Sequence, residues 1–173
     1  MTQAEEQFLT DLHSIHFSKE QKIAEMERGA VSVEFVLGVA LSQRQPQARY
    51  CAWIMSHYVQ KHKNSLTAYA DRAIAFLPQA QVSGHIREIL HWFTVGIPHE
   101  AERVGELFDF CLHALRSQSL PTGVKTYALA VSELIVCRYP ELSEEYKEFL
   151  RDVRPYVPNN VARRIQKILA SYR

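Results

Sequence analysis

The residue types able to do chemistry are present, but their spacing assembles no familiar constellation. His13 and His16 are spaced to share a helix face, and so, loosely, are His57 and Lys61. A zinc site would need further ligands and a fixed second shell. No His-Glu-x-x-His, Cys-x-x-Cys or clustered carboxylates accompany them, so no metal and no cofactor is expected. Cysteine–histidine pairs can be drawn for Cys111 with His113 and for Cys51 with His57. Their spacing gives no reason to expect contact, and both cysteines fall in apolar columns. Glu88, Asp109 and Glu133 could serve acid–base chemistry, as carboxylates on any helical surface could. No G-x-S-x-G, phosphate-loop or dinucleotide fingerprint occurs. No catalytic residue is assigned, and an enzyme is the less favoured reading. His91 beside Trp92, Phe93 and Pro98-His99 suggests an aromatic pocket, although core packing accounts for Trp92 equally well.

The sharpest feature is a column of bases. Arg49, Arg87, Lys125 and Arg163 recur every 38 residues. On helices they fall roughly 130° from the middle of the apolar stripe, at the margin of solvent. The nearby positions Ser56, Thr94, Ser132 and Ala170 are small. Such a ladder could receive an acidic peptide or a phosphate backbone. It could equally brace one repeat against the next.

The elements that must carry these residues are helical throughout. Apolar spacing suggests helices at about 3–15, 18–28, 30–42, 46–61, 65–77, 83–96, 99–117, 122–138, 142–154 and 158–172. No run of alternating β-branched residues is convincing. Pro98, Pro121, Pro140 and Pro158 fall at or near helix starts, and Ser143 before Glu144 and Glu145 reads as an N-cap.

The helices repeat. Sliding the chain by 38 residues aligns Ala48, Ile86, Val124 and Ala162, then Cys51, Ile89, Tyr127 and Ile165, then Met55, Phe93, Val131 and Leu169. A second helix follows the same period, with Ala70, Phe108 and Tyr146 in one column and Ile74, Leu112 and Leu150 in another. A hairpin with one apolar stripe per helix cannot cover its own core, but stacked neighbours can. The expectation is one domain over 1–173. It comprises an N-terminal helical cap at 1–45, repeats at 46–78, 84–116 and 122–154, and a closing helix at 158–173. That is an all-α fold, a short α-solenoid with an irregular N-terminal cap.

This pattern resembles the HEAT and armadillo class over residues 46 to 173, and short bacterial HEAT-like proteins in particular. The openings Gln47-Ala48-Arg49, His85-Ile86-Arg87, Gly123-Val124-Lys125 and Val161-Ala162-Arg163 each place a base after a small or apolar residue, where HEAT repeats often carry Val-Arg. Six residues earlier stand Gln43, Gln81, Ser119 and Val157 in place of that family's Asp, so the repeat is HEAT-like rather than standard. The resemblance implies a non-catalytic interaction module that binds a protein partner. Its alternative is nucleic-acid binding or repair of alkylated bases, through the basic column.

Composition is consistent with that picture. The net charge is +1, and six glycines leave little room for a phosphate-cradling loop. The near neutrality hides a gradient. The first 45 residues hold seven acids against four bases, while Lys147 to Arg173 hold seven bases against Glu148 and Asp152. The opening residues lack the basic start and apolar run of a signal peptide, and Val31 to Leu41 is too short to span a bilayer. Three separated cysteines make no disulfide framework, so a reducing cytoplasm is the expected compartment and Cys51, Cys111 and Cys137 are expected to be buried.

Overall fold

A computed structural model describes residues 1–14 and 17–171. His16 of the proposed histidine pair and the terminal Arg173 lie outside them. The described residues form ten α-helices, α1 to α10, joined by turns and short 3-10 segments, with no strand among them. None of these helices is long and apolar enough to cross a membrane.

Helices α4 (Gln47–Lys61), α6 (Ser83–Trp92), α8 (Thr122–Arg138) and α10 (Asn159–Ser171) pack one against the next and form one layer. Helices α5 (Ala70–Phe76), α7 (Val104–Arg116) and α9 (Ser143–Val153) form the second. The apolar stripes meet between the layers in one continuous core, with Met55, Ile89, Trp92, Phe93, Leu107, Leu129 and Ile165 fully enclosed. Trp92 is a core residue, and its indole N–H donates to the Ala52 carbonyl of the preceding repeat at 2.8 Å.

The head, α1 (Gln3–Asp11), α2 (Lys19–Glu27) and α3 (Val33–Ala40), starts its helices on hydroxyl caps. Thr2 and Glu5 make a reciprocal capping box, and Ser18 and Ser32 accept from Gln21 and Phe35. Buried Lys22 ties α1 to α2 through Asp11 at 2.7 Å and Glu25 at 2.9 Å. The head is irregular in length, yet α2 packs on α4 and α3 on α4. Glu27 at the end of α2 meets Lys61 and His62 at the end of α4, while Glu34 of α3 meets Arg72 of α5. The last two helices of the head therefore sit as a shortened repeat would.

Several local expectations are corrected. Helix α7 begins at Val104, not near residue 99, because the Asp71 carboxylate of the neighbouring repeat accepts from the amides of Glu102 and Arg103 at 3.0 Å and starts the helix there. Ser143 is not an N-cap. A 3-10 turn, Pro140–Leu142, runs straight into α9, and Ser143 is its first residue. Cys51 and Cys111 are buried, but Cys137 is exposed.

The largest departure is in register. The residues that precede α4, α6 and α8 are Pro46, Val82 and Pro121, at intervals of 36 (46 to 82) and 39 (82 to 121) residues. From α6 to α8 the buried faces follow the longer interval. Ile89 and Leu90 of α6 and Phe93 just after it are matched in α8 by Ala128, Leu129 and Ser132, each 39 residues on. The uniform period of 38 is an average. One residue of slip turns a helix by about 100°, so α8 presents a different face from the one that the uniform period assigns.

Candidate interaction face

The slip decides where the basic column lies. Arg49 and Arg163 are exposed and Arg87 is half-buried, whereas Lys125 is only 3% exposed. Lys125 takes the inward position that Ile86 holds in the previous repeat, and Thr126 takes the outward one. The Lys125 ammonium donates to the Leu115 carbonyl at 3.3 Å, and burial holds its pKa below the usual lysine value. Arg49 and Arg87 lie across the next repeat. The Arg49 side chain covers Gly84 at the start of α6, and that of Arg87 covers Gly123 at the start of α8. A Cβ on either glycine would come within 3.1 Å and 3.2 Å of those arginine side chains. The structure brings these bases into sequence along the stack but does not present four of them to solvent.

The same layer carries a second row that the sequence did not announce. Phe17 lies against Trp53 with ring centroids 5.6 Å apart, and Trp53 meets His57 edge-on at 5.3 Å. His57 faces His91 at 6.5 Å, and His91 stacks on Tyr127 at 4.7 Å. The row therefore runs from the segment before α2 across α4 and α6 to α8. Each of these rings is partly exposed. His13 adds an edge contact to Tyr50, and the Lys19 ammonium lies 5.9 Å above Trp53. The uniform period hid this row, because it placed Tyr127 in the same column as buried Cys51 and Ile89.

Charge beneath the rings is paired. Glu88 is buried and accepts from the Arg87 Nε at 2.9 Å, with its other oxygen 3.9 Å from His91 Nδ1. Burial works to raise the Glu88 pKa, but the neighbouring His91 ring and the bound Arg87 guanidinium outweigh it and hold the carboxyl below its usual range. Gln60 reaches the other His91 nitrogen at 2.5 Å. His57 is held below the usual imidazole value, first by partial burial and then by the Lys19 and His91 charges. Beyond Tyr127 the face continues as a groove of about 510 Å³ between α8 and α10, lined by Thr94, Thr126, Leu134 and Cys137 and crossed by an Arg164–Glu133 pair at 3.1 Å.

The candidate nucleophiles are poorly placed for chemistry. Burial pushes the Cys51 thiol up to about 12 and the Cys111 thiol higher still, so neither forms the thiolate that a nucleophile needs at neutral pH. Glu133 is engaged with Arg164, and Asp109 lies on α7 in the other layer. Half-exposed rings flanked by arginines are instead the composition of protein-binding anchors.

Two layers of antiparallel helices, each repeat bonded to its neighbours, define an α-solenoid. A family model for the HEAT repeat domain matches residues 39–172, and the chain belongs to that family. HEAT repeats generally mediate protein–protein interaction, which the extended surface of a stack suits. No curated protein and no solved structure matches the chain.

Proposed function

We propose that this chain is a non-catalytic interaction module that seats a protein partner across the layer of α4, α6, α8 and α10. The observation that carries the reading is the continuous row Phe17, Trp53, His57, His91 and Tyr127, exposed across three successive helices of one layer. Large, rigid, half-buried rings lose little side-chain freedom on binding, and Trp and Tyr lead among interface hot spots. Trp53, the largest ring of the row, is its principal anchor. Arg49, Arg87 and Arg163 line the same layer and supply charge at the rim. Lys125 supports the stack from within.

Affinity copurification with purified wild-type and Trp53→Ala chains tests this reading. A partner retained by the wild type should be weakened by about 2 kcal/mol, near 30-fold, in the variant. Equal retention by a Trp53→Ala chain of unchanged melting temperature would reject the assignment of the face. Salt-sensitive retention on duplex DNA that is lost in Arg49→Ala/Arg87→Ala would replace it with the nucleic-acid reading.

A further inference from the structure

The opposite layer holds a cleft of different chemistry. Between α7 and α9, above the end of α8, lies a cavity of about 470 Å³. Its floor is apolar, with Val104, Phe108 and Leu112 from α7, Ile135 from α8 and Leu142 before α9. Its walls carry Glu102, Asp109, Glu141 and Glu145, and no basic residue lines it. All four acids are exposed. None of the four carboxylates makes a side-chain hydrogen bond or ion pair among the described residues. Three nearby acids of the same layer are engaged. Glu106 pairs with Arg103, Glu144 with Lys147, and Asp71 caps the start of α7. Four acids without counter-charge are gathered around this apolar floor, where concave low-dielectric walls focus a negative field.

We propose that this cleft is a second docking site, and that its occupant is a basic amphipathic helix of a partner protein. The floor asks for apolar side chains and the walls ask for lysine or arginine on both flanks, which is the pattern of a helix laid in a groove. Gly105, Phe108, Asp109 and Leu112 repeat at i, i+3, i+4 and i+7 along α7, so the seat runs about 10 Å, close to two helical turns. A cation alone would leave the floor unused, and no group of three His, Cys, Asp or Glu among the described residues could hold a metal ion. The chain's own basic helix is not the occupant. Val161, Ile165 and Ile168, the apolar side of α10, are already buried in the stack. The seat is open at Gly105, where a Cβ would meet nothing within 4 Å.

The test uses the whole chain and a fluorescent Leu/Lys helix about five turns long, with leucine on one face. Its counterpart carries Glu for every Lys. Anisotropy titration at low salt should show binding of the Leu/Lys probe only. Asp109→Lys/Glu145→Lys should weaken it at least about tenfold. Gly105→Leu, which fills the seat without altering charge, should do the same by about tenfold or more. Trp53→Ala should leave it unchanged, since that residue lies on the other layer. Absence of Leu/Lys binding, equal binding of the Leu/Glu probe, or wild-type affinity in Gly105→Leu would each overturn the proposal. Both variants alter exposed positions, and thermal melts establish that they fold.

Discussion

His85 is fully buried with both ring nitrogens engaged. Nε2 lies 2.6 Å from the Ala40 carbonyl and Nδ1 3.0 Å from the Gln45 amide nitrogen. A carbonyl only accepts, so the proton sits on Nε2 and Nδ1 accepts from Gln45. Burial lowers the His85 pKa from its ordinary 6.5, and the Ala40 bond offsets this only in part. Below that pH the unfolded chain takes up a proton that the folded chain refuses, so stability is lost as pH falls through 6.5. The melting temperature should drop between about pH 7.5 and about pH 5.5, and His85→Gln should flatten that profile. A profile of unchanged slope in the variant would remove His85 from the account. Trp92→Ala should cost about 3–5 kcal/mol in denaturant melts, through the cavity and the lost indole bond to the Ala52 carbonyl. Core packing of Trp92 was one of two readings that the sequence offered, the other being an aromatic pocket. The burial of Lys125 was not legible, because a side chain's direction depends on a helical phase that a single inserted residue changes, and apolar columns tolerate such slips.

At the level of elements, the repeats are joined less by the expected basic column than by side chains reaching across loops. Arg138, at the end of α8, donates to the carbonyls of Ile97, Pro98 and His99 at 3.0, 2.6 and 3.0 Å. That loop follows Gly96, whose φ of 135° suits glycine. Arg138→Ala should destabilise the chain by about 2 kcal/mol, as expected for bonds to a charged group. Amide exchange should quicken in residues 96–101 before it does elsewhere. Uniform acceleration along the chain would show that Arg138 braces no particular loop. The existence and order of the hairpins were readable from apolar spacing. Their ends were not. Asp71 starts α7 from the neighbouring repeat, and a contact 31 residues away leaves no trace in local sequence.

Across the whole molecule, most side-chain bonds that join one repeat to the next among the described residues span 31 to 45 residues, from Gln60–His91 to His85–Ala40, and Lys125–Leu115 spans 10. Coupling is therefore between nearest neighbours, and stability is close to a sum over repeats and their interfaces. Both tryptophans lie in the first two full repeats, at Trp53 and Trp92. Ile165→Ala, a cavity at the far end, should move the circular-dichroism midpoint to lower denaturant by more than it moves the tryptophan midpoint. Coincident shifts would show that the stack unfolds as one unit. The solenoid itself was legible in the sequence. The ring row and the acid-walled cleft were not, since each is assembled from residues of different helices that only the stacking brings together.

The uneven burial of the three thiols has a practical consequence. Cys51 and Cys111 are enclosed, while Cys137 stands exposed in the groove beside the proposed partner seat. A maleimide dye added to the native chain should therefore couple at Cys137 alone, without mutagenesis. The label would report by its own change in emission whether anything has come to lie beside it.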